Sequence, residues 1–197
     1  AAADYGDAAI AGMGVVTRLV SMGSLTIFGF IKGFQPIAGY SYGAKKFNRL
    51  HEAIKTSIIW STIFCVVYGL ILALFSTSIV SQFASGNLEM IKVGASSLRV
   101  NGISLMLFGF YTVYSSLFLA LGKGKEGFIL GACRQGICFV PVILVLPMIW
   151  GLNGILYAQP VADVLSAIIT VFMAIHLHRE LNEAEKQAAI AGTNEVH

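Results

Sequence analysis

The sequence predicts an all-α integral membrane protein, a polytopic helix bundle that crosses the bilayer about five times. Of its 197 residues, 56% are hydrophobic and only 12% are charged, whereas soluble domains typically contain about 25% charged residues. A helix that crosses the bilayer core needs roughly 20 apolar residues, and stretches of that length recur along this chain with few charges. Lipid is therefore the expected solvent for many of the apolar side chains.

Five stretches are long and apolar enough to be predicted membrane spans. They cover residues 8–31, 54–80, 97–121, 128–150 and 154–177. The sequence Gly-Leu-Asn-Gly at 151–154 is predicted to form the turn between the last two spans. Together the spans form one predicted membrane domain, 1–178, followed by a polar, helix-prone tail, 179–197, that we expect to lie in water.

The distribution of basic residues predicts the orientation of these spans. Basic residues cluster after the first, third and fifth spans, and these are Lys45, Lys46, Arg49, Lys55, Lys123, Lys125, Arg179 and Lys186. An alternating topology places all of them on one side, which the positive-inside rule makes cytoplasmic. We therefore predict a multi-pass protein of the plasma or inner membrane with a cytoplasmic C-terminus. An N-terminus outside the cell, without an export signal, leads us to interpret the sequence as a fragment.

The composition also argues against several functional classes. A net charge of +3 without a basic stripe does not predict nucleic-acid binding. Cys65, Cys133 and Cys138 lie in apolar runs without the spacing of a metal site. His176 and His178 are two residues apart and would point to different sides of a helix. We find no arrangement typical of a nucleophilic triad or of paired catalytic carboxylates, so we predict neither an enzyme nor a metal site.

Four glycine-containing segments resemble a known transporter family. They are GFQPIAGYSYGAKK at 33–46, LGKGKEG at 121–127, CRQG at 133–136 and GLNGILYAQPVAD at 151–163. In content and order they resemble the C-terminal half of the multidrug and toxic compound extrusion (MATE) transporters. Within the first segment, Gln35-Pro36 is predicted to end the first span, because proline lacks a donor N–H and restricts the residue before it. Gly39 and Gly43 are then predicted to permit a tight passage at the membrane surface.

The resemblance implies a fold of two six-helix lobes, of which this chain would supply the eighth to twelfth helices. The N-terminal lobe and most of the seventh helix would be missing, and that lobe would be the main protein partner. The implied function is export of organic cations, drugs or other amphipathic compounds by alternating access. Inward flow of protons or sodium would drive it, without an organic cofactor. The 97–121 span lacks the acid that one MATE subgroup has on its tenth helix, so the coupling ion stays open.

Two alternative functions remain open from the sequence. One is a flippase for lipid-linked precursors, since related folds move such cargo and Arg18, Arg99 and Arg134 could meet its phosphates. The other is a membrane scaffold that transports nothing.

Asp163 is the strongest single site candidate. It lies about nine residues into the fifth span, or roughly 13 Å below its outer end. Arg18 and Arg134 are expected at a similar depth, where an isolated charge is costly and usually pairs or faces a polar cavity. We predict an ion pair between Asp163 and Arg18 or Arg134. It either fixes helix packing or changes its protonation and pairing during transport.

Further polar and aromatic residues within the spans are candidates for lining a cavity. Aromatic rings attract organic cations through their quadrupole, and amide side chains can hydrogen-bond a cargo. The candidates are Asn101, Tyr111, Tyr114, Gln135 and Gln159. Separately, Gly29 and Gly33 are four residues apart, a spacing that predicts close approach of another helix.

Overall fold

The computed structural model describes residues 7–84, 88–133, 136 and 139–194. All regular secondary structure in this part of the chain is helical, so the predicted all-α class is confirmed. The six α-helices are α1 (Asp7–Gly43), α2 (Phe47–Leu74), α3 (Ser76–Ser81), α4 (Leu88–Ala120), α5 (Gly124–Ala132) and α6 (Phe139–Asn194).

Four helical stretches in the described residues are long and apolar enough to cross a membrane. They are Ile10–Gly43, Phe47–Leu74, Leu88–Ala120 and Tyr157–Gln187, and they overlap the first, second, third and fifth predicted spans. The fourth predicted span, 128–150, is divided between α5, a segment that includes residues 134–135 and 137–138 outside the described ranges, and the start of α6. That span and the exact domain boundaries stay predictions.

The first helix is longer than predicted. α1 is a continuous helix of 37 residues with Pro36 in its interior, so the prediction that Gln35-Pro36 ends the first span is wrong. Proline removes one backbone hydrogen bond and crowds the preceding turn, but membrane helices tolerate this where neighbouring groups satisfy the freed carbonyl. Gly39 is therefore helical and not part of a loop. A Cβ there would lie 3.2 Å from the Ala120 carbonyl oxygen, so this glycine lets the end of α1 approach α4.

α1 and α4 end in the same kind of cap. After Gly43, the last residue of α1, Lys45 has a φ of 54° and the Lys46 N–H donates to the Ser41 carbonyl over 2.9 Å. A hydrogen bond from an N–H to the carbonyl five residues earlier, closed around a residue in the left-handed conformation, is the Schellman cap. At the end of α4, Gly122 has a φ of 78° and the Lys123 N–H donates to Phe118 over 2.9 Å.

α4 is the central helix, and glycines bring it into backbone contact with α2. A Cβ on Gly102 would lie 2.8 Å from the Gly69 carbonyl oxygen, and a Cβ on Gly109 would lie 2.7 Å from that of Ser61. Among the described residues Gly29 and Gly33 do not form the predicted close approach, because apart from the backbone of α1 itself no atom lies within 4 Å of a Cβ built at either position. Spacing alone did not indicate which glycines meet another helix.

Residues 151–154, predicted to form the turn between the last two spans, are helical in α6; glycine in a helix costs only about 1 kcal/mol. The chain nevertheless reverses direction. Buried Cys133 and Ala162 contact one another. A straight helix from Phe139 to Ala162 would separate those two residues by about 35 Å, and the six residues from Cys133 to Phe139 span at most about 21 Å. α6 must therefore bend sharply between 139 and 162.

The C-terminal half of α6 makes polar contacts with two other segments of the chain. One follows the first predicted span and the other follows the third. Lys123 forms an ion pair with Glu180, and the rings of His51 and His178 lie 6.3 Å apart between centroids. The Tyr114 hydroxyl lies 3.4 Å from His178 Nε2. The basic connections thus share one end of the bundle, which we call the Lys-rich end. Its cytoplasmic location stays a prediction.

Candidate functional site

A cavity of about 420 Å³ lies between α1, α4 and α6. We call it the outer cavity, because it lies on the opposite side of Phe28 from the Lys-rich end. Its volume falls within the range of small-molecule sites. Its polar wall consists of Thr17, Ser21, Ser24, Ser97, Asn101 and Gln159, and its apolar wall of Met13, Val16, Val20, Leu25, Phe28, Phe139 and Ile143. None of these side chains is charged, so the cavity offers hydrogen bonds and apolar contact to an amphipathic molecule.

Helical periodicity explains how α1 forms one side of this cavity. Thr17, Ser21, Ser24 and Phe28 follow one another at intervals of three or four residues, which places them on one face of a helix. Sequence analysis did not identify these hydroxyl residues, because single serines and threonines are common in membrane helices as small packing residues.

Asp163 lies directly behind the cavity wall. It is 2% exposed, and its carboxylate accepts a hydrogen bond from Gln159 Nε2 over 3.2 Å and another from the Ser104 hydroxyl. A buried carboxylate is costly unless such donors bind it. Gln159, one turn before the acid, therefore both lines the cavity and contacts the acid. Gln159 therefore connects Asp163 directly to the surface of the outer cavity.

The structure describes only one of the two arginines that were predicted to pair with Asp163. Arg18 is exposed on α1 and is absent from the lining of the outer cavity. Among the described residues, no hydrogen bond or ion pair joins it to Asp163. α1 directs Thr17 and Ser21 into the cavity, so Arg18 lies on a neighbouring face. Arg134, the other predicted partner, lies outside the described residues, and so does Gln135.

The other predicted cavity residues divide between three places. Asn101 lies in the outer cavity wall and is held by a hydrogen bond from its Nδ2 to the Ser97 carbonyl over 2.9 Å. Tyr111 lines a second cavity of about 260 Å³, which we call the inner cavity. Tyr114 is buried and contacts His178 near the Lys-rich end, away from both linings.

An aromatic pair separates the two cavities. Phe28 contributes to the lining of both, and its ring packs edge-on against Phe108, with 5.7 Å between centroids and 82° between planes. Phe108 in turn packs edge-on against Tyr111 at 5.4 Å. Such pairs stabilise a fixed ring arrangement by about 0.5–1.5 kcal/mol each beyond their burial. α1 therefore lines both cavities, and Phe28 lies at the boundary between them.

Comparison with known proteins identifies the family. A family model described as MatE matches residues 1–145 of the chain. The chain belongs to the MatE family. This confirms the resemblance to MATE transporters that the glycine-containing segments predicted.

Relatives and solved structures agree with this assignment. The multidrug export protein MepA of Staphylococcus haemolyticus is 28% identical over 179 residues, which are 91% of this chain and 39% of that protein. An outward-facing multidrug resistance MATE transporter shares the fold with a TM-score of 0.81 at 20% identity, over 90% of this chain and 40% of that one. An inward-facing MATE transporter structure shares the fold with a TM-score of 0.76 at 20% identity, over 85% of this chain and 39% of that one. The chain thus spans about two fifths of the length of these proteins.

Proposed function

We propose that this MatE chain is the C-terminal lobe of a secondary transporter that exports drugs, organic cations or other amphipathic compounds by alternating access. The main support is Gln159, which joins the uncharged polar wall of the outer cavity to the buried acid Asp163. The relative MepA is a multidrug export protein. The second, N-terminal lobe of the transporter would close the cavity from the other side and act as the main partner.

In this proposal, Asp163 couples cargo binding to an ion gradient. When ionised, the carboxylate accepts hydrogen bonds from Gln159 and Ser104, which fixes the Gln159 amide in the cavity wall. Protonation or sodium binding would change that hydrogen bonding and hence the donors and acceptors that the cargo meets. Carboxylate, hydroxyl and amide oxygens suit either ion, so both protons and sodium remain candidates for antiport.

Alternating access requires the lobe to move largely as a unit. The same lobe matches transporter structures in an outward-facing and an inward-facing conformation, with TM-scores of 0.81 and 0.76. Glycines of α4 bring its backbone into contact with α2, and many side chains of α4 are buried. Such a tightly packed lobe is expected to rotate as a rigid body. These observations support rocking of the two lobes around the outer cavity.

Thr17→Phe should block the outer cavity. We expect it to weaken the binding of a cationic dye to the purified full-length protein by at least about tenfold, which corresponds to about 1.4 kcal/mol. Thr26→Phe is the matched control. Both threonines are exposed and donate from Oγ1 to the carbonyl four residues earlier, over 2.9 Å and 3.0 Å. Thr17 lines the outer cavity, whereas Thr26 faces a crevice against α2. Fluorescence polarisation measures the affinity; equal losses in both variants would exclude the cavity as the drug site.

The arginines that could have met the phosphates of a flippase cargo do not line a cavity in the described residues. Arg18 and Arg99 are exposed and absent from the lining of both cavities, and Arg134 lies outside the described ranges. A phosphate-binding arginine cluster, as a flippase of lipid-linked precursors would require, is therefore not formed by Arg18 and Arg99. A scaffold that transports nothing would not need a polar cavity of this size.

A further inference from the structure

The inner cavity has a different chemical character from the outer one. It lies between α1, α4 and α5, on the side of Phe28 nearer the Lys-rich end. Its polar lining residues are Lys32, Gln35, Tyr111, Thr112, Ser115 and Ser116. Among the described residues that line it, only Lys32 is charged and none is acidic. The inner cavity is therefore positively charged, while the lining of the outer cavity is neutral.

Lys32 lies farther from the end of its helix than the predicted span suggested, and its side chain is exposed on α1. That span ended at residue 31, which would have placed the lysine at the membrane edge. Because α1 continues to Gly43, Lys32 lies 11 residues before the helix end, or about 16 Å along the axis. Among the described residues, its ammonium group forms neither an ion pair nor a hydrogen bond. A lysine at such a depth is expected to face a polar cavity or an anionic partner.

Neutral hydrogen-bond donors share the lining of the inner cavity with Lys32. Gln35 follows Lys32 by three residues and so shares its helix face, while Ser116 reaches the cavity from α4. Neither side chain forms a hydrogen bond with another described residue. By contrast, the Thr112 and Ser115 hydroxyls donate to the carbonyls of Phe108 and Gly127, over 2.6 Å and 3.3 Å. An ammonium, an amide and a hydroxyl are thus available to one ligand.

We propose that the inner cavity is a binding site for a phosphate or carboxylate group. Lys32 supplies the charge, and Gln35 and Ser116 supply neutral donors to the remaining anion oxygens, since hydrogen bonds to an ionised acceptor are the stronger ones. This site goes beyond the proposed export function and does not depend on it. The anion belongs either to a lipid headgroup that enters from the bilayer or to a free small anion from the aqueous side.

Chemical labelling of Lys32 tests the site without altering it. The full-length protein is placed in nanodiscs of phosphatidylcholine or of phosphatidylglycerol and treated with a lysine-acylating reagent. Mass spectrometry of peptides then gives the labelling rate of Lys32 and of Lys55, an exposed lysine of α2 that serves as internal control. Each sample is repeated with millimolar inorganic phosphate and with sodium chloride at equal ionic strength.

We expect selective protection of Lys32, by about tenfold when the anion is present at ten times its dissociation constant. Protection in phosphatidylglycerol alone identifies a lipid headgroup, and protection by inorganic phosphate in both lipids identifies a free anion. Gln35→Leu retains Lys32 but removes the amide, so it should reduce this protection. Equal labelling under all conditions, or equal protection of Lys55, would overturn the proposal.

Discussion

Replacing Asp163 by asparagine should slow gradient-driven export by at least about tenfold, equivalent to about 1.4 kcal/mol in the barrier. Asparagine has the same size, and its Oδ1 can still accept hydrogen bonds from Gln159 or Ser104, so we expect a folded protein. It cannot exchange a proton or neutralise sodium, and coupling through the carboxylate is therefore lost. The measurement is the initial rate of cationic dye export by the full-length transporter in proteoliposomes.

Ser104→Ala provides the comparison for this prediction. It removes the hydroxyl that donates to Asp163 but leaves the carboxylate able to titrate, so export should fall much less than in Asp163→Asn. If Asp163→Asn exports at the wild-type rate under every imposed gradient, the acid serves helix packing alone. The coupling role would then be refuted, although the cavity could still bind drugs.

Gly102→Val should destabilise the lobe by about 3 kcal/mol, the upper part of the range for overpacking in a core. A Cβ at this position would lie 2.8 Å from the Gly69 carbonyl oxygen and 3.1 Å from the Ala73 nitrogen. Both obstacles are backbone atoms of α2, which cannot rotate away as a side chain can. We expect a lower melting temperature and a smaller yield of monodisperse full-length protein in detergent.

Gly29→Val is the matched control, since it introduces the same side chain into another helix of the same lobe. In the part of the chain that the structure describes, no atom outside the backbone of α1 lies within 4 Å of a Cβ built on Gly29, so the stability of Gly29→Val should stay close to that of the wild type. If the two variants lose stability equally, the valine acts through its general effect on the helix. The contact of α4 with α2 at Gly102 would then not be what holds these helices together.

Hydropathy predicted the fold class because the bilayer sets a minimum length for an apolar helix. It could not predict how each helix ends. Pro36 was a reasonable stop signal, yet α1 continues to Gly43. Gly-Leu-Asn-Gly at 151–154 is helical, although α6 must bend back near it to bring Cys133 to Ala162. Tertiary contacts overrode local preference in both places.

The site was predictable where a residue type was unusual for its surroundings. Asp163 was found because an acid in an apolar stretch is rare, and Gln159 and Asn101 because amides are uncommon there. Ser104 was missed, since a serine in a membrane helix has no distinctive sequence signal. Lys32 was missed because its significance depends on the true length of α1, which only the structure gives.

The most direct test of the central proposal is dye export by the full-length protein in proteoliposomes, with a proton gradient and a sodium gradient imposed separately. We predict export driven by one of the two gradients and abolished when that gradient is collapsed. That result would establish a coupled drug exporter and identify its ion. Failure to export under either gradient, by protein that still binds the dye, would contradict the account and leave only the shared fold.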